Sequence, residues 1–296
     1  MLTRRSALLG AAALAACGPS VAEAPARKRL AVTMDDFNLP EDRALALERD
    51  LRIRSALPVR AAAFVSGKYE TRPAFDRVLD DWAADGHIIA NHSYSHMNSS
   101  SEETAVIVED IARNHALLSD RKGFEPYFRF PFLAAGRDLA QQDAYRAFLA
   151  DAGYTVAPVT IDSYDWNVTN RLDQPGASQR RIGEYYISSV REMADYAHAS
   201  ALALGLRDLP HLLLVHHNAL NALFLKPLLN VLQSEGWEIV DAKMAMDHPA
   251  MAGPPPRIEG WGNRLNLMRR AQGITEPAFP EALREFGTPA MDELGL

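Results

Sequence analysis

Short apolar runs alternate with longer amphipathic stretches along this chain, and the alternation limits the folds open to it. The apolar runs are Leu30–Met34, Ala61–Ser66, Ile88–Asn91, Tyr127–Phe130, Thr155–Ile161, Leu212–His216 and Glu238–Val240. Stretches of helical length lie between them, at Glu41–Ser55, Arg72–Ala84, Glu102–Leu118 and Leu139–Ala152. Strands that alternate with helices of this length pair in parallel through crossover helices. The sequence therefore predicts an α/β fold with a barrel-like or doubly wound parallel sheet.

Composition and charge exclude several classes of protein. Of the 296 residues, 48% are hydrophobic and 23% are charged, which argues against both a disordered chain and a multi-span membrane protein. The net charge of −7 gives no bulk attraction for the phosphates of nucleic acid, so no nucleic-acid partner is expected. With Cys17 as its one cysteine, the chain can form neither an intrachain disulfide nor a cysteine zinc site.

The first 17 residues are typical of an export signal. Arg4 and Arg5 precede the small and apolar run Ser6–Ala16, which is too short to span a bilayer. Residues 14–17 (LAAC) resemble a lipobox, the motif in which the cysteine is lipidated. We therefore expect an exported lipoprotein, anchored in a membrane through Cys17 and facing the periplasm or the cell surface. The arginine pair leaves open whether export follows the general or the twin-arginine route.

The remaining boundaries follow from composition. Residues 18–28 (GPSVAEAPARK) are small and polar and are expected to form a tether. Residues 29–250 carry the alternating pattern and are expected to form one catalytic domain. The proline run Pro254–Pro256 then breaks regular structure, so residues 251–296 are expected to be an extension wrapped over that domain, where they either cover the barrel or shape one wall of the cleft.

Side chains that could take part in catalysis or bind a metal ion cluster at the carboxyl ends of the predicted strands. They are Asp35, Asp36, His92, His96, Arg129, Asp162, Asp165 and His216. In a parallel α/β sheet these strand ends lie on one face, where active sites are built from the loops that follow. Five distant segments are therefore predicted to converge on one pocket.

His92 and His96 have a spacing that lets two imidazoles converge on one metal ion. With one aspartate they would form a His-His-Asp site with open positions, suited to zinc and tolerant of cobalt or other divalent ions. Taken alone, each feature has a simpler interpretation, since histidines occur on surfaces and aspartates cap helices. At the last strand, alternation points His216 and His217 in opposite directions, and His216 is the better candidate for the pocket.

Five short motifs, in order, resemble those of the polysaccharide deacetylase family (carbohydrate esterase family 4, the NodB-homology domain). They are Thr33–Asp36 (TMDD), His92–His96 (HSYSH), Arg129–Phe132 (RFPF), Asp162–Trp166 (DSYDW) and Leu214–His216 (LVH). The resemblance covers roughly residues 29–246 and implies a distorted (β/α) barrel of about seven parallel strands. The sequence departs from the commonest pattern at Phe132, where many members have Tyr, and at His217-Asn218, where many have Asp.

The resemblance also implies a role for each matching residue. The metal ligands would be Asp36, His92 and His96, with zinc as the expected ion. Asp35 would be the general base, held by Arg129, and His216 would be the general acid, oriented by Asp162. The backbone N–H of Phe132 would help to stabilise the oxyanion, and Trp166 would form a wall against the acetyl group or the sugar ring.

The implied activity is metal-dependent removal of acetyl groups from N-acetylated amino sugars of an envelope or extracellular polysaccharide or oligosaccharide. Two alternatives use the same metal site, an O-acetyl esterase and an amidase acting on a non-sugar amide. Two further alternatives are not enzymes: a non-catalytic sugar-binding lipoprotein and a purely structural envelope lipoprotein. The sequence leaves the polymer, the native metal and the oligomeric state open.

Overall fold

The computed structural model describes residues 26–260 and 262–296. The predicted export signal, the lipidation site Cys17 and most of the predicted tether lie outside the described residues. Within the described ranges, no helix is both long and apolar enough to cross a bilayer.

A curled parallel sheet forms the centre of the molecule. Its strands are β1 (Arg29–Asp36), β2 (Ala62–Val65), β3 (Ile88–Asn91), β4 (Phe124–Phe128), β5 (Thr155–Val156), β6 (Ile161–Asp162), β7 (Pro210–His216) and β8 (Glu238–Ile239). The order across the sheet is β5-β4-β3-β2-β1-β7-β6, and β8 pairs with the first two residues of β1. All of these pairs are parallel. The predicted distorted (β/α) barrel of parallel strands is therefore confirmed.

Helices connect the strands and cover the sheet. They are α1 (Arg43–Arg54), α2 (Phe75–Ala84), α3 (Thr104–Leu118), α4 (Leu139–Asp151), α5 (Asp165–Val168), α6 (Gln179–Ala203), α7 (Ala219–Ser234), α8 (Ala242–Met246), α9 (Pro249–Ala252), α10 (Arg264–Gln272) and α11 (Thr288–Glu293). The main hydrophobic core lies between the sheet and the helices α1, α2, α6 and α7, with Trp82 and Tyr186 among its largest buried side chains. A smaller cluster lies between β4, α3 and α4.

Strand β1 is central because its residues are buried on both faces. Each side chain from Leu30 to Met34 is at most 2% exposed, and β2 and β7 pair with β1. A near-continuous apolar run is what a strand covered on both faces requires. The two carboxylates at the end of β1 therefore follow a fully buried run that is paired on both sides.

The predicted strand Thr155–Ile161 is wrong, because this segment crosses from one edge of the sheet to the other. The Ala157 N–H donates to Phe128 O in β4 (2.8 Å), whereas the Thr160 N–H donates to Leu212 O in β7 (3.1 Å). Pro158, which lies between them, has no N–H for a ladder bond, and this favours the break. The two edges of the sheet thus meet at a seam, which we define as residues 157–160.

The last segment of the chain lies against this seam. Arg264 N–H donates to Val159 O (2.8 Å), and Asn263 Nδ2 donates to Thr160 O (2.9 Å). Farther along, Leu265, Leu283 and Met291 are buried in the main core. The segment 262–296 is therefore packed onto the barrel beside the start of β6.

Candidate active site

The parallel register brings the predicted residues to one end of the barrel. Asp35 pairs with His216 across β1 and β7, and Asp36 pairs with Val65, the last residue of β2. Val65 in turn is level with Asn91, which precedes His92. These strand ends surround a cavity of about 500 Å³. The predicted convergence on one pocket is therefore present in the structure.

Asp36, His92 and His96 form a compact cluster of potential metal ligands. Their ligand atoms all lie within 4.8 Å of one another. Asp36 Oδ1 is 2.9 Å from His96 Nε2 and 3.4 Å from His92 Nε2. This oxygen is buried and has no partner with hydrogen-bond geometry among the described residues. A divalent cation would satisfy it, so the three side chains fit the metal site predicted from the sequence.

The protonation of this cluster also suits a cation. Burial opposes the ionisation of Asp36, but the imidazoles of His92 and His96 outweigh it and hold the pKa of Asp36 well below its usual value. Burial lowers the pKa of His96, although Asp36 partly offsets the shift. An ionised carboxylate and a neutral imidazole are the forms that bind metal ions.

The backbone turns sharply to bring these ligands together. Asp36, Ser93 and His96 all have positive φ angles, of 74°, 61° and 54°. This region is uncommon for residues other than glycine and persists where the surroundings enforce it. His92 Nδ1 lies 2.9 Å from Arg129 O, which leaves Nε2 directed at the cluster. The carboxylate of Asp110 accepts from the Tyr94 N–H (3.0 Å) and the Ser95 N–H (2.9 Å), and thereby holds the loop between the two histidines.

Asp35 is held by Arg129 as predicted. Arg129 Nη1 donates to Asp35 Oδ1 (2.6 Å) and to Thr33 Oγ1 (2.8 Å), and both members of the ion pair are at most 3% exposed. The second carboxylate oxygen, Oδ2, lies 3.6 Å from His92 Nε2. This oxygen therefore faces the metal cluster, where a general base would be needed.

The partner of His216 differs from the one expected. His216 Nδ1 is 2.7 Å from Asp165 Oδ1, and the His216 N–H donates to Asp165 Oδ2 (2.8 Å). Asp162, which was expected to orient His216, instead accepts from the Tyr164 N–H (3.1 Å). Tyr164 has a φ of 51°, and this turn brings the buried Asp165 rather than Asp162 to the imidazole.

The surroundings of His216 and of Asp162 raise the pKa of each group. Burial alone would lower the pKa of His216, but the charge and hydrogen bond of Asp165 outweigh it and raise that pKa to about 10. Burial raises the pKa of Asp162 to about 6, so this group titrates just below neutral pH. Asp162 still lines the cavity, but as a group that does not contact the His216 ring.

His217 lies away from the pocket, as strand alternation predicted. Its side chain is buried, with Nε2 at 3.3 Å from Asp50 Oδ1. The same oxygen accepts from Trp82 Nε1 (2.7 Å). His217 therefore belongs to a polar contact inside the core.

Aromatic side chains form the outer walls of the cavity. Phe132 and Trp166, both predicted to contact substrate, line it and are 55% and 41% exposed. The Phe132 ring packs on His96 at 4.8 Å between centroids. Phe286, which no sequence pattern indicated, has its ring 5.3 Å from that of Trp166 and 5.4 Å from that of Tyr164. Phe286 is 120 residues from Trp166 and belongs to no recognisable motif, so only the tertiary structure reveals it.

The comparisons with known proteins agree with this geometry. Residues 22–157 match the model of the polysaccharide deacetylase family. The match spans β1 to β5 and includes Asp35, Asp36, His92, His96 and Arg129. No curated protein matches the chain.

Solved structures share the fold at low sequence identity. A chitin deacetylase from the fungal pathogen Colletotrichum lindemuthianum has a TM-score of 0.53 and 20% identity, over 75% of this chain and 90% of that chain. A peptidoglycan N-acetylglucosamine deacetylase has a TM-score of 0.50 and 18% identity, over 74% and 88%. A carbohydrate esterase family 4 pseudoenzyme from Bacillus anthracis has a TM-score of 0.53 and 16% identity, over 75% and 66%. Since enzymes and a pseudoenzyme share this fold, activity has to be argued from the site itself.

Proposed function

We propose that this protein is a polysaccharide deacetylase of carbohydrate esterase family 4, a metal-dependent hydrolase that releases acetate from N-acetylated amino sugars. The observation that carries the proposal is the arrangement around the ligand cluster. Asp35 and Arg129 lie on one side of Asp36, His92 and His96, and the His216–Asp165 pair completes the same cavity. A site that had lost its function would have no need to keep all of these groups in place.

Asp36, His92 and His96 would hold the metal, and zinc suits this donor set of two imidazoles and one carboxylate. When bound, the metal would lower the pKa of a water molecule and polarise the carbonyl of the acetyl group. The proton transfers would be carried out by the side chains of the protein.

Amide hydrolysis needs a base for the attacking water and an acid for the leaving amine. Asp35 Oδ2 would take a proton from the water as the water oxygen bonds to the carbonyl carbon of the acetyl group. Arg129 keeps the other oxygen of Asp35 engaged and so fixes the direction of Oδ2. His216 would then give its Nε2 proton to the nitrogen as the C–N bond breaks, which leaves acetate and a free amine. Its pKa of about 10 keeps that proton in place at neutral pH.

The substrate class rests on the family match and on the aromatic walls. The model that matches residues 22–157 describes polysaccharide deacetylases, and two of the similar structures are deacetylases of chitin and of peptidoglycan N-acetylglucosamine. Phe132 and Trp166 present exposed rings to the cavity, which suit the apolar face of a sugar. We further propose an exported lipoprotein, anchored at Cys17, whose substrate is a polysaccharide or oligosaccharide of the cell envelope or its surroundings.

Acetate release tests the proposal. The protein would be supplied with zinc or cobalt and offered N-acetylglucosamine oligomers beside an O-acetylated sugar. Release from the oligomers that a chelator abolishes is the expected result. Release from the ester alone would instead establish an O-acetyl esterase on the same site, and no release from either would contradict the proposed substrates.

Two variants separate metal binding from proton transfer. Asp36→Ala should lose metal and activity together, because it removes the one carboxylate of the ligand cluster. Asp35→Asn should retain the metal and lose activity by about 10²- to 10⁴-fold, the range expected for a general base. Bound metal is measured by elemental analysis and turnover by acetate release. A fully active Asp35→Asn protein would rule out Asp35 as the base.

A further inference from the structure

One wall of the cavity comes from the C-terminal segment of the chain. Gly262, Asn263, Asn266, Phe279 and Phe286 line the cavity together with the residues at the strand ends. All five lie beyond the part of the chain that matches the family model. We call residues 262–287 the C-terminal wall.

Hydrogen bonds fix the start of the C-terminal wall to the barrel. The bonds of Asn263 and Arg264 to the seam place it beside β6, the strand that ends at Asp162. The Asn263 side chain also caps α10 by accepting from the Leu265 N–H (2.9 Å). One end of the wall is therefore attached to the residues directly before the strand that carries Asp162.

The far end of the wall is built to hold the Phe286 ring in place. Glu285, Phe286 and Gly287 have φ angles of 49°, 60° and 80°, so three successive residues are left-handed. Asn167 Nδ2 donates to Phe286 O (3.1 Å), and the Tyr185 hydroxyl lies 3.3 Å from Gly287 O. A Cβ at Gly287 would lie 2.2 Å from that hydroxyl, so the close approach requires glycine. Such backbone conformations occur at ligand clamps, where the surroundings enforce them.

We propose that the C-terminal wall restricts the substrate to short N-acetylated amino-sugar oligomers and chain ends, with Phe286 and Trp166 contacting the sugar ring. This inference rests on the proposed function. The cavity volume of about 500 Å³ falls within the range of about 300–1,000 Å³ that is typical of small-molecule sites. The half-exposed ring of Phe286, set against Trp166 and Tyr164, adds an aromatic surface to the cavity that also holds the carboxylates and imidazoles. On this proposal, the C-terminal wall excludes the internal units of a polymer from Asp35.

The experiment compares kcat and KM for the dimer and the tetramer of N-acetylglucosamine with those for soluble glycol chitin. The full-length protein in mild detergent, loaded with zinc, should have a kcat/KM on the dimer at least tenfold above that per acetylated unit of the polymer. Phe286→Ala should raise KM for the dimer about tenfold, with a smaller effect on kcat. The ratio of kcat/KM for the dimer to that for the polymer should therefore fall. Phe286→Tyr keeps an aromatic ring and should retain the wild-type preference for the dimer over the polymer. The matched control is Leu294→Ala, which removes a similarly exposed side chain of the same C-terminal segment that does not line the cavity.

The outcomes distinguish this inference from the proposed function. If all proteins show chelator-sensitive acetate release and Phe286→Ala keeps the KM and the polymer preference of wild type, the C-terminal wall does not select substrate and the proposed function stands. If the full-length protein deacetylates glycol chitin with the same kcat/KM per acetylated unit as the dimer, the C-terminal wall likewise does not select substrate. Absence of chelator-sensitive release from the sugars would overturn both.

Discussion

At the scale of single residues, the protonation of His216 depends on one carboxylate. Asp165 is fully buried and binds both the ring and the backbone N–H of His216. The resulting pKa of about 10 means that the imidazole carries the proton a leaving amine needs throughout the neutral range. A histidine at its usual pKa of about 6.5 would be mostly neutral there.

Replacing Asp165 should therefore change the pH dependence of the reaction. In Asp165→Asn the pKa of His216 should fall, so that the alkaline limb of the kcat profile moves to lower pH. The general acid must be protonated, and activity above neutral pH should consequently drop by about tenfold or more. Asp162→Asn is the matched control, because Asp162 lies in the same motif without bonding to the ring. An alkaline limb that shifts in Asp162→Asn and not in Asp165→Asn would reverse the assignment.

The sequence could not decide between these two aspartates. Both belong to the five-residue segment Asp162–Trp166, and either could reach the neighbouring strand. The choice depends on the left-handed turn at Tyr164, which is set by the packing around it. By contrast, the meeting of His92 and His96 with an aspartate of β1 was expected, because parallel pairing places the ends of β1 and β3 on one face, and the resemblance implied Asp36 as that aspartate.

At the scale of elements, helix α3 supports the loop between His92 and His96. Asp110 of α3 is buried and accepts from the backbone of Tyr94 and Ser95, at the middle of that loop. The left-handed φ angles of Ser93 and His96 would relax if this contact were lost. Since outer partners of metal ligands set their direction, the contact should influence metal affinity.

Asp110→Ala should weaken zinc binding by about tenfold to a hundredfold, the range found for such supporting groups. Competition with a chromophoric chelator measures the affinity, and circular dichroism of the metal-free protein checks the fold. Glu109→Ala, which changes the exposed neighbour on the same helix, is the control and should bind zinc as the wild type does. Equal zinc affinity in both variants would remove Asp110 from the support of the site.

The elements themselves were largely predictable from periodicity. Predicted and observed bounds coincide at β3 and differ by a few residues at β1, β2 and β7. The prediction of one strand over Thr155–Ile161 failed because the two halves of this apolar segment pair with opposite edges of the sheet, on either side of Pro158. Apolar periodicity reports burial, and it does not say which neighbour provides it.

At the scale of the whole molecule, a buried histidine should make stability depend on pH. His211, at the start of β7, is fully buried beside His198 and Trp237, and neither of its ring nitrogens has a hydrogen-bond partner in the part of the chain that the structure describes. Burial lowers its pKa to about 3. The unfolded chain, with a pKa near 6.5, binds the proton more readily between these values, so the free energy of unfolding should fall as pH drops through this range.

The expected loss attributable to His211 approaches about 1.4 kcal/mol per pH unit below pH 6.5. His211→Leu should remove this part of the slope. Urea unfolding at several pH values between about 7 and 4.5 measures it. A chelator in every sample ensures that acid release of metal does not contribute. Parallel slopes in the two proteins would contradict the assignment.

The position of the C-terminal segment is a property of the whole fold that sequence reasoning described only in outline. Its wrapping over the barrel was expected from the proline run, and shaping one wall of the cleft was one of the two roles left open for it, but the residues that make that contact were not identified. That contact depends on two backbone carbonyls of the seam, Val159 O and Thr160 O, and a carbonyl leaves no trace in the amino-acid sequence.

Arg129 binds the seam as well as Asp35. Its Nε and Nη2 lie 3.3 Å from Ala157 O and Pro158 O, while Nη1 holds the proposed base, and its guanidinium stacks on Phe64. One side chain thus closes the barrel and aims the carboxylate. An inactive descendant of this chain would be free to lose Asp36 and His96 but would still need Arg129 for its shape. Retention of this arginine in a related sequence is therefore a marker of the fold, whereas retention of the ligand cluster is the marker of activity.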